Sequence, residues 1–451
     1  MFYISLIAAK VFLLLQKIFI KEKNDKAGLG ALKLYPNFLK KVSKPPVIIA
    51  ITGTNGKTTT SNLLVDVLED QGYKVACNRG GSNYQAGVVT AILKGVSLFN
   101  KTKVDYLVVE YDEISSDKIL SALKPNYLIV SNITRDSMNR NAHTDFVFKQ
   151  INQGIEKNTT LILNADDPIS SRLGKDNKKV FFAIDKLPED LDFNHSLVND
   201  MPNCPKCYRR LKYDFVRYHH MGKFYCPKGD FKAPKAEYLI TKVEKDKIIV
   251  KHQEKLQKYP IIQNSIFNIY NSLAVIATLK ELGFKAEVIA KSFKQLKITE
   301  IRLKTTKVGN TEVIAHMTKG KNAVATSRVF DYVSNINANK EIVLMIEDYY
   351  DRVDTSEAIA WLYDADFEFL KKDDIKRIVV CGVRHQDIIL RLLIAGIPQE
   401  KIFGTLKEED AINHLALKNT DQVYILYEIP FINYANPLAD KIAQKLKGET
   451  K

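Results

Sequence analysis

A lysine and a threonine follow a short glycine-rich loop near residue 55, and this combination can hold the phosphates of a nucleotide. The β-branched run at 47–52 predicts a strand, and Lys57 and Thr58 stand where the next helix should begin. Backbone N–H groups of such a loop point at phosphate oxygens, and the helix N-terminus adds a positive partial charge. Lys57 supplies a point charge and Thr58 a hydroxyl for Mg²⁺. The predicted nucleotide-binding residues of this loop are Gly53, Thr54, Asn55, Gly56, Lys57, Thr58 and Thr59.

Carboxylate, amide and guanidinium groups elsewhere in the chain could complete the same site. Glu110 and Glu113 follow an apolar run, and carboxylates that end a strand near a phosphate loop are natural ligands for Mg²⁺. The other interpretation of this acidic stretch is a solvated turn. Asn268 and Asn271 are three residues apart, which places both amides on one face of a predicted helix. Arg302 opens the last region, from which a cation could reach the phosphate that is transferred.

Two further segments could contribute to this site. A second glycine-rich loop at 78–87 would let the backbone approach a ligand closely, although such loops are common. Residues 163–168, which include Asn164, Asp166 and Asp167, end another predicted strand and could hold a nucleotide ribose or base. Ligands of parallel sheets bind at the carboxyl ends of the strands, which is where we expect all these segments.

Composition narrows the class of protein. The chain has 451 residues, a net charge of +15 and five cysteines, of which Cys204, Cys207 and Cys226 cluster. Such a cluster favours a metal site over a disulfide framework, and the nucleotide loop favours the cytoplasm. The positive charge suits an anionic substrate or an anionic membrane face. The sequence has no basic stripe with interleaved aromatic residues, so we expect no nucleic-acid partner.

Apolar β-branched runs alternate with helical patterns from residue 45 onward, which predicts βαβ units and a parallel sheet. The predicted organisation is an N-terminal helix and connector at 1–44, a central domain at 45–300 and a C-terminal α/β domain at 301–451. Residues 201–233, rich in Tyr, Arg, Lys and Cys, are predicted to form an insert in the central domain.

The first twenty residues are strongly apolar but are interrupted by Lys10 and Lys17. They lack the uninterrupted apolar stretch of about 20 residues that a membrane-spanning helix needs. Two interpretations remain open. The helix could pack on the first domain, or it could lie in the membrane interface with its lysines reaching toward the headgroups.

Taken in their order along the chain, these motifs resemble those of the Mur ligase superfamily, and within it the synthetase subunits that amidate lipid II. The resemblance covers almost the whole chain. The matching pieces are 53–59, 81–83, 110–113, 135–140, 164–168, 267–271, 354–356, 361–368 and 382–385.

The resemblance implies a central P-loop ATPase domain with a zinc-ribbon-like insert, followed by a C-terminal Rossmann-like domain. It also implies ATP, Mg²⁺ and a structural Zn²⁺ as cofactors. In this family, ATP activates the α-carboxylate of D-glutamate in the lipid II stem peptide, and ammonia from a GatD-type glutaminase partner converts it to D-isoglutamine. The position of Asp354 matches an aspartate that completes the partner's Cys-His pair, although Asp-Thr-Ser is also a common helix N-cap. The lipid II substrate would lie at the inner membrane face.

Two departures from the family pattern bear on these expectations. Four extra residues, 357–360, precede Trp361 and could reshape the partner interface. Gly229 stands where the fourth cysteine of the ribbon is expected, which leaves His219, His220 or Asp230 as replacement ligands, or a relic ribbon without metal. Two rival functions are therefore kept: another Mur-type amino-acid ligase, and a nucleotide-binding scaffold without catalysis.

Overall fold

The chain folds into two units, each built around a mainly parallel β-sheet. The computed structural model describes residues 1–19, 25–79, 82–135, 143–296, 303–318, 322–346 and 359–449. Unit 1 takes in the described residues up to 134 and those within 144–194 and 200–296. Unit 2 takes in Arg135, His143, residues 195–199 and the described residues from 303 onward.

The sheet of unit 1 has nine strands, and a separate two-stranded hairpin lies in the predicted insert. The strands of this unit are β1 Val47–Thr52, β2 Val75–Cys77, β3 Tyr106–Glu110, β4 Tyr127–Val130, β5 Thr160–Asn164, β6 Lys179–Ile184, β7 Lys212–Tyr218, β8 Met221–Tyr225, β9 Tyr238–Val243, β10 Lys247–His252 and β11 Lys255–Pro260. The order in the sheet is β11-β10-β9-β6-β5-β4-β1-β3-β2, and β7 pairs with β8. Within the nine-stranded sheet every pairing is parallel except β9 with β10 and β10 with β11, which are antiparallel. The separate β7–β8 hairpin is also antiparallel. The predicted βαβ architecture is confirmed.

Helices cover both faces of this sheet. The helices of unit 1 are α1 Phe2–Phe19, α2 Lys26–Leu34, α3 Phe38–Lys41, α4 Lys57–Asp70, α5 Gln85–Gly95, α6 Ser116–Leu123, α7 Thr144–Gly154, α8 Ile266–Glu281 and α9 Ala286–Gln295. Successive side chains of a strand point to opposite faces, so Ile48 and Ala50 join one core and Ile49 and Ile51 the other. A strand buried on both faces reads as a continuous apolar run, which is why β1 could be predicted from its sequence.

The predicted connector after the first helix is in fact partly helical, since it contains α2 and α3. Ala27 and Ala31 are buried on α2, whose backbone approaches α5 so closely that a Cβ at Gly28 would lie 2.0 Å from the Ala86 carbonyl oxygen. The Gly28 N–H donates to Thr90 Oγ1 at 3.0 Å. Small residues make this close packing possible, and the lysines between them made the segment look like a solvated linker.

Unit 2 repeats the architecture on a smaller scale. Its strands are β12 Leu303–Val308, β13 Thr311–Met317, β14 Lys340–Met345, β15 Ile375–Cys381, β16 Ile402–Thr405 and β17 Gln422–Tyr427, in the order β12-β13-β17-β14-β15-β16. Only the pairing of β12 with β13 is antiparallel among these described strands. Its helices are α10 Ala323–Ser334, α11 Trp361–Asp364, α12 His385–Ile394 and α13 Ile432–Glu449. Apolar clusters on both faces of the sheet fit the expected α/β class.

Candidate nucleotide-binding site and cysteine cluster

The loop between β1 and α4 has the backbone shape that its glycines predict. Gly53 has φ +126° and Gly56 has φ +90°, a region that residues with a side chain rarely adopt. Neither position has room for one: a Cβ at Gly56 would lie 2.2 Å from Asn271 Oδ1, and one at Gly53 would lie 2.3 Å from Ser131 Oγ. Helix α4 then begins at Lys57, so its first N–H groups face the loop.

Two polar residues just after β4 hold this loop in place. Ser131 Oγ donates to the Asn55 carbonyl at 2.5 Å. The Asn132 amide accepts from the Asn55 N–H at 3.1 Å and donates to the Asn55 carbonyl at 3.0 Å, while the Asn132 carbonyl accepts from the Thr54 N–H at 2.9 Å. These hydrogen bonds join residues that are about 77 positions apart in the chain, so the sequence carries no local signal for them.

Lys57 and Glu113 form an ion pair beside the loop. Lys57 Nζ lies 2.7 Å from Glu113 Oε1 and also donates to the Gly53 carbonyl at 2.6 Å. Both side chains are largely shielded, with 14% and 7% of their surface exposed. Thr58, one residue further along α4, is exposed. The structure therefore brings together a lysine, a carboxylate and a hydroxyl at one helix N-terminus.

The start of α8 lies against the same loop. Asn271 contacts the glycine turn, as described above, and its Nδ2 donates to Asn268 Oδ1 at 3.3 Å. Asn268 Nδ2 donates in turn to Ser265 Oγ at 2.7 Å. Glu110 sits at the end of β3, where its backbone N–H and carbonyl bind the side chain of Asn78 at 3.1 and 2.8 Å. Arg302, Asp354 and residues 357–358 lie outside the described residues.

The interpretation of Asp166 and Asp167 as nucleotide ligands is wrong for their carboxylates, which are buried. Asp166 Oδ2 lies 3.4 Å from Arg217 Nη1 and accepts the Tyr270 hydroxyl at 2.6 Å. Arg217, on β7 of the insert, also forms an ion pair with Asp190 at 2.6 Å. Burial raises the pKa of the Asp166 carboxyl, although Arg217 and the Tyr270 hydroxyl oppose the shift. This cluster attaches the insert to the end of β5.

A second buried cluster, formed by His220 with Asp167 and Asp200, also attaches the insert to unit 1. His220 Nε2 lies 3.4 Å from Asp167 Oδ1, and His220 Nδ1 lies 3.8 Å from Asp200 Oδ2. Burial alone would lower the pKa of His220, but the Asp167 and Asp200 carboxylates outweigh it and raise that pKa. Asp167 also accepts the Ile133 N–H at 2.8 Å, next to the residues that hold the nucleotide loop. His220 is thus engaged by carboxylates.

Three cysteine thiols converge in the insert. The Sγ atoms of Cys204, Cys207 and Cys226 all lie within 4.8 Å of one another, and those of Cys207 and Cys226 are 3.4 Å apart. Tetrahedral zinc with Zn–S bonds near 2.3 Å would hold thiolates about 3.8 Å apart, so the spacing fits such an ion. Burial raises the pKa of Cys204, but N–H groups of Cys207 and Lys206 reverse the shift and leave that pKa below its usual value.

Gly229, the residue at the position expected for the fourth ligand, is surrounded by free space. Gly229 has φ +82°, and a Cβ built on it would have no neighbour within 4 Å. Among the described residues, the group that could share a metal ion consists of the three cysteines and contains neither a histidine nor Asp230. Asp230 is instead 3.7 Å from Lys228. No fourth ligand is therefore in place among the residues that the structure describes.

Two acidic residues that follow the extra segment 357–360 are held within unit 2. Asp364 Oδ2 lies 3.1 Å from Arg135 Nη1. Asp366 is buried and its Oδ1 accepts the Leu197 N–H at 2.6 Å. Burial raises the pKa of the Asp366 carboxyl despite this hydrogen bond.

Comparison with known proteins agrees with this geometry. The family model described as Mur ligase middle domain matches residues 51–279, and the one described as MurT ligase C-terminal matches residues 320–429. A lipid II isoglutaminyl synthase (glutamine-hydrolyzing) subunit MurT of Staphylococcus aureus is 30% identical over 95% of this chain and 94% of its own length. The protein of the same name from Streptococcus pneumoniae is 30% identical over 88% of each chain.

Solved structures share the fold. A pseudomurein peptide ligase type C from Methanothermus fervidus aligns with a TM-score of 0.69 at 22% identity, over 92% of this chain and 84% of its own. MurF from Acinetobacter baumannii aligns with a TM-score of 0.60 at 16% identity, over 93% and 81%. These structures show the shared fold, and the sequence matches show that the chain belongs to the Mur ligase family. Within that family it falls in the MurT branch, whose members it matches along nearly their whole length.

Proposed function

We propose that this chain is the synthetase subunit of a lipid II isoglutaminyl synthase. The observation that carries the proposal is the similarity to MurT subunits, which extends over 95% of the chain and includes the C-terminal region that distinguishes this branch. The substrate is the α-carboxylate of D-glutamate in the stem peptide of lipid II, and the product is D-isoglutamine. The enzyme works in the cytoplasm, where ATP is available, on a substrate held at the inner membrane face.

The reaction has two steps. The carboxylate attacks the γ-phosphorus of ATP, so that an acyl phosphate forms and ADP leaves. Ammonia then attacks the acyl carbon, inorganic phosphate leaves, and the nitrogen loses a proton to give the carboxamide. Neutral ammonia delivered to an activated acyl group needs little help from a general base.

The nucleotide loop supplies the positive groups for the first step. Lys57 and the N–H groups at the start of α4 bind the phosphates, and the exposed Thr58 hydroxyl is a ligand for Mg²⁺. Glu110 or Glu113 assists that ion, which when bound neutralises phosphate charge. Asn268 and Asn271 reach the nucleotide from α8, because α8 begins against the loop. Arg302 belongs to the same proposed set.

The ammonia comes from a GatD-type glutaminase partner. Asp354 orients the histidine of the partner's Cys-His pair, a role for which a carboxylate is suited because it stabilises an imidazolium. The insert of unit 1 is a zinc-ribbon-like element whose ligands are Cys204, Cys207 and Cys226. The convergence of their Sγ atoms supports zinc in the structural role that thiolate-rich sites have.

An amidation assay distinguishes this function from its two alternatives, an ordinary Mur-type ligase and a nucleotide-binding scaffold. Purified chain is combined with its glutaminase partner, lipid II, ATP and glutamine, and mass spectrometry follows conversion of the stem-peptide carboxylate to a carboxamide. Free amino acids replace glutamine in a parallel reaction. Amidation that depends on glutamine or ammonium supports the proposal. A peptide bond to a free amino acid would support an ordinary Mur-type ligase, and nucleotide binding without ADP formation would support a scaffold.

A further inference from the structure

Helix α1 exposes an apolar surface to solvent. Every side chain between Tyr3 and Phe19 that the structure describes as exposed is aliphatic or aromatic. We name this surface the α1 face and define it by Ile4, Ile7, Val11, Leu14, Leu15 and Ile18, which repeat at helical spacing along one side. These side chains are between 45% and 63% exposed.

Ser5 and Lys10, two polar residues of α1 that the structure describes, point toward the protein instead. Ser5 Oγ donates to the Ala31 carbonyl at 2.9 Å, and Lys10 Nζ donates to the Leu93 carbonyl at 2.8 Å. Phe2 and Leu6 are buried on the same side as Ser5. A surface helix of a globular protein in water has the opposite arrangement, with its polar side chains facing the solvent. The α1 face is therefore a contiguous apolar patch of the kind that marks an interaction surface.

The elements packed around α1 are strongly basic. Residues 1–19, 26–44 and 94–103 contain ten lysines and no aspartate or glutamate. These segments are joined by specific contacts: the Phe2 ring lies 5.2 Å from that of Phe38, and the Ser43 N–H donates to Asn100 Oδ1 at 2.8 Å. Lys40 and Lys101 are among the exposed lysines of this region.

Two further apolar side chains project from the same region. Leu98 and Phe99 are 50% and 81% exposed at the tip of the loop that contains Asn100. An interfacial membrane anchor combines apolar side chains with surrounding lysines. The apolar side chains enter the boundary of the acyl chains, and the lysines attract anionic headgroups.

We propose that the α1 face is a membrane-binding surface that seats unit 1 on an anionic lipid bilayer. Charge favours a bilayer over a second copy of this chain as the occupant of this patch. A second copy of this chain would bring an identical set of lysines to the contact, where like charges repel, whereas an anionic bilayer attracts them. The inference concerns lipid contact alone and holds whether or not the chain amidates lipid II.

The test measures binding of the full chain to vesicles without lipid II. Wild type is sedimented with vesicles of phosphatidylglycerol and phosphatidylcholine, and with vesicles of phosphatidylcholine alone. The triple variant Ile7→Gln, Leu14→Gln, Ile18→Gln removes apolar area from the α1 face, and Leu256→Gln, which alters an exposed leucine on β11, is the matched control. We expect wild type and the control to bind the anionic vesicles and the triple variant to lose about tenfold or more in partitioning.

The thermal transition of the triple variant shows whether it folds. If it does not fold, a second variant that changes charge tests the same proposal. Lys40→Glu with Lys101→Glu reverses two exposed charges, and we expect weaker binding to anionic vesicles and a smaller effect of salt. Equal vesicle binding by wild type and the folded variants would overturn the proposal. So would a wild-type dimer in sedimentation velocity that the triple variant converts to monomer while no form binds vesicles, because the α1 face would then join two copies.

Discussion

Lys57 is the residue on which the nucleotide site depends most directly. Its ammonium group folds back over the loop to the Gly53 carbonyl and pairs with Glu113. We expect phosphate oxygens to compete with Glu113 for this ammonium group, because both are anions and the lysine is largely shielded from water. Displacement would leave the Glu113 carboxylate available to Mg²⁺.

Replacement of Lys57 by alanine should abolish amidation while leaving the fold intact. Removing one preorganised positive group from a site of charge transfer costs on the order of 10² to 10³ in kcat. The measurement is ATP-dependent amidation with the partner present, with Lys178→Ala as control because Lys178 also forms a 2.7 Å pair with a glutamate, at Glu281. Near-normal activity of Lys57→Ala would show that ATP binds elsewhere.

Asp354 provides a test of the partner interface. If it orients the glutaminase histidine, Asp354→Asn should lower glutamine-driven amidation steeply, on the order of 10⁴ by comparison with a Ser-His-Asp triad. Supplied ammonium should restore much of the activity, and ATP affinity should stay unchanged. Unaltered glutaminase activity in the complex with this variant would reduce Asp354 to a helix cap, and residues 357–360 would be the next place to examine.

At the scale of elements, the insert is attached to unit 1 through buried charge. Arg217 lies on β7, yet its side chain is only 3% exposed because its guanidinium group reaches Asp166, Asp190 and Tyr270. Removing one partner of a buried ion pair leaves the other charge without compensation, which is far more costly than losing an exposed pair.

Arg217→Gln should therefore lower the free energy of unfolding of unit 1 by about 3–5 kcal/mol. Urea unfolding followed by circular dichroism gives this value, and limited proteolysis should cut the insert sooner than in wild type. Arg210→Gln changes an exposed arginine of the same insert and should be neutral within about 0.5 kcal/mol. A stability equal to wild type in both variants would mean that the insert does not depend on this attachment.

The cysteine cluster makes a separate prediction about the same element. We expect at most about one zinc per chain, bound by Cys204, Cys207 and Cys226, and Cys207→Ser should lose it. Elemental analysis after purification without chelators measures the metal, and Cys77→Ser, a free cysteine on β2, should retain it. Zinc that persists in Cys207→Ser would exclude this cluster as the site.

At the scale of the whole molecule, the sequence predicted what is encoded within short segments. The strand, glycine turn and lysine of the nucleotide loop are contiguous, and β1 begins and ends where the pattern of 47–52 indicated. Each of these signals depends on neighbours along the chain, so no knowledge of the fold was needed.

Features that depend on distant partners were missed. Arg217 did not stand out among the basic residues of the insert, because its partners Asp166 and Asp190 lie elsewhere in the chain. Asp166 and Asp167 were assigned to the nucleotide for the same reason: a carboxylate after a strand shows its exposure only once its neighbours are known. Helix α2 was missed because small buried residues such as Ala31 carry little hydrophobic signal.

The place of the insert in the sheet has a consequence for the rate at which unit 1 folds. Strands β6 and β9 are parallel neighbours, yet residues 185–237 separate them in the chain. Loop-closure entropy grows slowly with length, about 0.6 kcal/mol per doubling, so the native state tolerates this separation, but non-local strand pairing is slow to find. If the insert forms its β7–β8 hairpin early and brings its three thiols together, the effective loop between β6 and β9 becomes shorter. The two strands would then pair sooner. Strands β9, β10 and β11 would then fold after the insert, as would α8, which packs against the nucleotide loop.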